Sequence, residues 1–168
     1  MEYAAMKDKY DYMHTFSVDN DHSIAMTMAV FAAFTEGLAL FASFAMLMNF
    51  PRFNKMKGMG QIVTWSVRDE TLHCQSVIKL FNTFVQENPS VWTDKLKGEI
   101  SDACKNIVNM EDKFIDLAFE MGPVEGMTPN DIKAYIHYIA DWRLSQLGLP
   151  KIYGAKEHPI PWLSAILN

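Results

Sequence analysis

The sequence predicts an all-α protein whose core is a bundle of four long helices. Apolar residues recur at helical spacing through most of the chain, and helix-stopping residues divide it into four long segments. A strand-like alternation of apolar and polar residues is almost absent. The short connections between these segments indicate that neighbouring helices are antiparallel. With 168 residues, the chain is long enough for one domain that folds without a disulfide or a metal.

The expected bounds of each helix follow from capping residues and from proline and glycine. Asp19, Asn20 and Asp21 favour the start of the first helix, and Pro51 follows its end. Asn88 and Pro89 stop the second helix. Thr128 caps the fourth, with proline in its first turn. We therefore expect a polar lead-in over residues 1–22, helices over residues 23–49, 60–86, 93–120 and 128–148, and an irregular proline-rich tail over residues 149–168.

The first predicted helix is unusually apolar. Glu36 is the only charged side chain in residues 24–50, so the segment resembles a membrane span. Its Ala, Met, Thr and Ser content, its central carboxylate and the lack of a second span argue against that interpretation. We expect a helix enclosed on all sides by other helices. A buried carboxylate at its centre then requires a cation beside it.

Charge and cysteine content exclude several function classes. The net charge is -5 and no Lys/Arg block occurs, which argues against nucleic-acid binding. Cys74 and Cys104 form neither a C-x-x-C motif nor a disulfide framework. The N-terminal residues do not have the pattern of a secretory signal. These features favour a cytoplasmic protein that does not act on nucleic acid or in a membrane.

The second predicted helix contains a motif typical of metal sites. Glu70 and His73 form Glu-x-x-His, and this i,i+3 spacing places a carboxylate and an imidazole on one helical face. Ferritin-like di-metal bundles use a Glu from each of two helices and a Glu-x-x-His from each of two others. Glu36 is the type of partner that the motif lacks. Glu36, Glu70 and His73 are therefore predicted metal ligands.

The predicted site contains only half of the expected ligands. No second Glu-x-x-His occurs. Asp11 with His14, and Asp19 with His22, have the right spacing but lie in the polar lead-in, where surface or capping roles are expected. Glu111 on the third helix has no histidine three residues further on.

Four sequence blocks resemble the small, radical-generating subunit of class I ribonucleotide reductase. They are FTEGLALFASFAMLMNF, SVRDETLHCQSVIKLF, YIADWRLSQLGL and HPIPWL, in that order. The resemblance implies a ferritin-like bundle and a di-iron or manganese/iron centre, with Glu36, Glu70 and His73 as ligands. It also implies that Asp69 is the acid that hydrogen-bonds along the radical-transfer route.

The resemblance is to the C-terminal half of that subunit. The family's helices with the remaining ligands precede the matching part, and none of the six tyrosines here takes the radical position. A split gene, a truncated reading frame or an expressed fragment would each give this pattern. The implied partners are the N-terminal half of the small subunit and the large catalytic subunit, within a dimeric small subunit that generates the radical for ribonucleotide reduction.

Two other functions fit the ligand count. Two copies of the chain could pool their ligands about a two-fold axis into a ferroxidase-like di-iron site. Alternatively, the chain is an inactive helical interaction module. If neighbouring helices are missing, we expect a large exposed apolar face that causes aggregation or requires a partner.

Overall fold

The computed structural model describes residues 4–167, and the side chains as far as residue 164. Its described elements are helices, which confirms the predicted all-α class. They are α1 (Ala4–Met13), α2 (Asp21–Ala29), a π-helical segment (Val30–Ala39), α3 (Phe41–Arg52), α4 (Lys57–Glu87), a 3₁₀ turn (Pro89–Val91), α5 (Asp94–Phe119), α6 (Pro129–Gln146) and α7 (Pro161–Leu167).

The first predicted helix is a composite of α2, the π segment and α3. Asn20 caps α2, because its side chain accepts a hydrogen bond from Ser23 N at 3.0 Å and its own N–H donates to Ser23 Oγ. The composite helix ends at Arg52, so Pro51 lies inside the last turn rather than beyond it. The π segment was not predicted.

The π segment lies at the centre of the fold, where it packs against α4, α5 and α6. Phe34 and Leu38 are fully buried there. Phe31 and Leu40, in contrast, are 36% and 38% exposed. The expectation that this helix is enclosed on all sides is therefore wrong, because part of its surface faces solvent.

The remaining long helices begin and end close to the predicted positions. On α4 the buried residues share one face, with Val63, Val67, Cys74, Ile78 and Phe81 pointing into the core. Thr93 caps α5 by accepting from Leu96 N at 3.2 Å. Thr128 and Asp131 form a reciprocal capping box at the start of α6, with Pro129 in its first turn.

Both ends of the chain contain more helix than expected. Within the predicted polar lead-in, α1 packs on α5 and the Lys9 ammonium forms an ion pair with Glu111. Within the predicted irregular tail, α7 follows a non-helical stretch. The Arg52 guanidinium lies 4.2 Å from the ring centre of Trp162, so the tail packs back on α3.

One described helical stretch meets length and composition criteria for crossing a membrane. It is Asp21–Arg52, and half of its most apolar window is buried inside the protein. A core helix of a soluble protein passes the same test, so this stretch is weak evidence for a membrane span.

Candidate metal centre

The π segment and α4 bring the three predicted ligands together. Glu36 lies on the π segment, and Glu70 and His73 are one turn apart on α4, which packs along it. One potential ligand atom from each residue lies within 4.8 Å of the others. His73 Nδ1 is 3.0 Å from Glu36 Oε2, so the imidazole is the group beside the Glu36 carboxylate.

The cluster is open to solvent on the α4 side. The side chain of His73 is 56% exposed and that of Glu36 is 29% exposed. Among the residues that the structure describes, no other group of three His, Cys, Asp or Glu side chains is close enough to hold a metal. Two carboxylates and one imidazole fit an oxygen-reactive metal such as iron or manganese.

Two buried side chains contact the backbone of the π segment that carries Glu36, and neither contact was predicted. Cys74 Sγ donates to the Ala32 carbonyl at 2.9 Å, and Arg143 Nε donates to the Gly37 carbonyl at 2.9 Å. Burial raises the pKa of the Cys74 thiol, which therefore keeps the proton that it donates. Sequence reasoning missed Arg143 because it lies in a charged stretch of α6 that is indistinguishable from a solvated helix face.

Asp69 is exposed on α4 and does not orient His73 in this structure. Within the described part of the chain, its carboxylate has no hydrogen bond or ion pair, and it lies near Trp65 and Arg68 on the open side of the helix. Its role in radical transfer stays a prediction.

The other acid and histidine pairs lie away from the cluster. Asp11 and His14 are exposed, and His14 Nδ1 donates to the Tyr10 carbonyl at 2.8 Å. His22 Nε2 lies 2.6 Å from Glu99 Oε2, and the His22 side chain is 38% exposed, in agreement with the expected surface role.

Glu111 is fully buried, and only the Lys9 ammonium reaches its carboxylate from within the described residues. Burial raises the pKa of Glu111, and the positive charge of Lys9 reduces that rise. Glu111 is thus a packed residue paired with α1, and not a fourth ligand of the cluster.

Comparison with known proteins decides the family. The sequence profile of the ribonucleotide reductase small chain matches residues 1–159. The chain belongs to the ribonucleotide reductase small-chain family. This confirms the resemblance drawn from the four sequence blocks.

Named members of the family align with almost the whole chain. A probable ribonucleoside-diphosphate reductase small subunit of Invertebrate iridescent virus 3 is 41% identical over 100% of this chain and 50% of the viral protein. The ribonucleoside-diphosphate reductase subunit beta of Chlamydia pneumoniae is 30% identical over 99% of this chain and 51% of its own length. The chain therefore spans about half the length of these curated relatives.

Solved structures show the same fold. A putative class I ribonucleotide reductase from Bacillus halodurans superposes with a TM-score of 0.89, at 23% identity over 96% of this chain and 59% of that one. The R2 subunit from Clostridium botulinum gives a TM-score of 0.87 at 20% identity, over 99% of this chain and 54% of that one. The helical arrangement of the small-chain family is thus present here.

Proposed function

We propose that this chain is part of the small subunit of ribonucleoside-diphosphate reductase and supplies half of its di-metal site. The observation that carries the proposal is the convergence of Glu36, Glu70 and His73 from two packed helical elements. The relatives that align with nearly all of the chain are named as small or beta subunits of that reductase.

The residues of this chain have distinct tasks at the site. Glu36 and Glu70 offer carboxylate oxygens, and His73 offers a ring nitrogen, to an iron or manganese ion. When bound, the di-metal centre supplies the oxidising equivalent that starts the radical used for ribonucleotide reduction. The buried face of α4 around Val67 and Cys74 keeps water from the inner side of the ligands.

The missing ligands are proposed to come from a second polypeptide segment, the N-terminal half of the small subunit. The exposed surface beside the cluster supports this. Ile62 and Leu80 are exposed on the same face of α4 as His73, because they lie eleven and seven residues from it. Trp65 and Leu72, seven residues apart, are exposed on the adjoining side of the helix. We further propose a dimeric small subunit in the cytoplasm that engages a large catalytic subunit.

Metal loading tests the proposal. The chain is purified alone and together with a separately expressed N-terminal half, and bound iron is measured after gel filtration. The chain alone should retain little iron, whereas the pair should hold about two ions per bundle. Glu36→Ala and His73→Ala should abolish loading of the pair. Glu99→Ala, which removes an acid from the distant His22 pair, is the matched control and should load normally.

Two results would contradict the proposal. Full loading by the isolated chain as a dimer would favour the self-assembled ferroxidase-like site, in which two copies pool their ligands. Unchanged metal content in both ligand variants would favour a helical interaction module without a metal role.

A further inference from the structure

The element that carries Glu36 has an unusual backbone. Val30–Ala39 is a π helix of ten residues, whereas π geometry is rare and occurs mostly as single-turn bulges within α-helices. Its i→i+5 hydrogen bonds are less common than the i→i+4 bonds of the α2 and α3 helices that it joins. Something outside the backbone must therefore favour π geometry here.

Side chains from two neighbouring helices donate to carbonyls of this segment. The Cys74 thiol on α4 reaches the Ala32 carbonyl, and Arg143 Nε on α6 reaches the Gly37 carbonyl, both at 2.9 Å. These two carbonyls lie on either side of Glu36 in the sequence. The segment is thus held from α4 and from α6 around the residue that carries the ligand.

Burial of the Arg143 guanidinium at this position is energetically unfavourable. It is fully buried, and no carboxylate within the described residues pairs with it. Nη1 donates to Gln146 Oε1 at 2.9 Å, while Nη2 has no hydrogen-bond partner among the described residues. The guanidinium carbon lies 4.4 Å from the ring centre of Trp142 and 5.7 Å from that of Phe41. Burying a cation without a counter-ion carries a desolvation cost larger than cation–π contacts of this kind return. An apolar side chain would fill the space at lower cost, so packing alone does not explain an arginine.

Gly37 permits the close approach of both donors. A Cβ atom at this position would lie 2.8 Å from Arg143 Nε and 2.6 Å from Cys74 Sγ. Real Cβ atoms do not approach other atoms so closely. Glycine next to Glu36 is therefore part of the same arrangement as the two donors.

We propose that Arg143 is a positioning residue: by donating to the Gly37 carbonyl, it holds the π segment in the register that directs Glu36 towards Glu70 and His73. This inference rests on the proposed function. Without the Arg143 hydrogen bond, the segment is free to adopt the commoner α-helical pairing. That change turns the Glu36 side chain about the helix axis and separates it from His73.

The test compares Arg143→Met with Gln146→Leu. The first removes the donor to Gly37 and keeps an unbranched apolar stem. Gln146→Leu is the matched control, because it removes a different hydrogen bond of the same guanidinium. That bond joins two residues of α6 and does not involve the π segment. Amide hydrogen exchange is measured on the full chain, and Mn²⁺ affinity is measured by electron paramagnetic resonance on the chain assembled with the N-terminal half.

In Arg143→Met we expect exchange in residues 30–40 to accelerate about tenfold relative to α5, as the loss of one hydrogen bond to a charged group implies. Mn²⁺ affinity should fall by a similar factor. Gln146→Leu should leave both quantities near the wild-type values. If Arg143→Met does not fold, Arg143→Lys is used, because it keeps the charge but lacks the Nε–H donor.

Unchanged exchange in residues 30–40 would overturn the inference, as would equal acceleration throughout α5, which would indicate a general packing role. Failure of the proposed function gives a different result. In that case the wild-type assembly and Glu36→Ala bind Mn²⁺ equally weakly, while the exchange of residues 30–40 in Arg143→Met still decides whether Arg143 holds the segment.

Discussion

Asp141 shows how one buried charge can organise a chain terminus. It lies on α6 and is almost completely buried. Its carboxylate accepts hydrogen bonds from the backbone N–H groups of Ile152, Tyr153 and Ala155, at 2.8 to 2.9 Å. Burial acts to raise the pKa of Asp141, but these hydrogen bonds outweigh it and leave the pKa below the ordinary value. A single side chain therefore binds three backbone N–H groups of the non-helical part of the tail.

Replacing this carboxylate should destabilise the protein in a pH-dependent way. Asp141→Asn keeps the shape but loses the charge and one acceptor oxygen, so urea denaturation at pH 7 should show a loss of about 1–3 kcal/mol. Because the folded pKa is depressed, the contribution of Asp141 is present above the unfolded pKa of about 3.9 and is lost as pH falls through the folded pKa. The difference between variant and wild type should shrink as the pH is lowered below about 4.

Asp116→Asn is the control for this experiment. Asp116 forms an exposed ion pair with Lys133, so its replacement should change stability by less than about 1 kcal/mol. Equal losses in the two variants would show that the hydrogen bonds to the tail do not stabilise the fold.

The clustering of Glu36, Glu70 and His73 could be predicted from the sequence, but the burial of Asp141 and Arg143 could not. Glu36 is recognisable because it is alone in an apolar helix, and Glu70 with His73 because of their spacing. Asp141 and Arg143 lie two residues apart on a helix of mixed polarity. Which of its charged side chains are buried depends on the tail and the π segment, and these contacts are distant in sequence.

Helix α1 is attached to the bundle through a buried ion pair. Its Lys9 ammonium contacts Glu111 on α5 and lies 5.0 Å from the ring centre of Phe114. At the C-terminal end of α1, Met13 Sδ accepts a hydrogen bond from the Thr35 hydroxyl of the π segment at 3.4 Å. Removal of one member of a buried pair leaves the other charge without a partner, which is more damaging than removal of both.

Lys9→Met should therefore lower the free energy of unfolding by about 3–5 kcal/mol. Lys9→Met combined with Glu111→Leu should recover much of this loss, and both changes are measured by chemical denaturation. The raised pKa of Glu111 means that, without Lys9, stability should decline further as pH rises above about 4.3, the unfolded value.

Lys105→Met serves as the control, because Lys105 pairs with Asp102 on the exposed surface of α5. Its replacement should lower the free energy of unfolding by less than about 1 kcal/mol. A Lys9→Met loss no larger than that of Lys105→Met would mean that the ion pair does not fasten α1.

The ends of the long helices were predictable, whereas α1 and the π segment were not. Thr93 and Thr128 are side-chain caps, and their hydrogen bonds are local and visible in the sequence. The buried contact that holds α1 joins residues far apart in the chain. A π segment has the same composition as an α-helix, because only the hydrogen-bond register differs.

The whole molecule exposes an apolar surface on α4. Ile62, Trp65, Leu72 and Leu80 are each more than half exposed on this helix, and His73 lies among them. Large exposed apolar patches are typical of interaction surfaces. These exposed side chains lie on the same helix as Glu70 and His73.

We expect the isolated chain to self-associate through this surface. Ile62→Lys together with Leu72→Lys should shift the light-scattering mass towards that of a monomer at high protein concentration, with little change in the melting temperature. Met121→Lys is the control, since Met121 is 97% exposed in the α5–α6 connection and lies outside α4. Association that persists in the double variant would show that another surface mediates it.

In the proposed function, the open side of the ligand cluster couples metal binding to assembly. An ion held by Glu36, Glu70 and His73 would have coordination positions left for ligands from another polypeptide segment. Binding linkage is reciprocal, so the factor by which that segment tightens metal binding equals the factor by which metal tightens its association. The bound ion would then stabilise the association of the two halves as well as serve as a cofactor. A chelator that removes the ion would weaken that association.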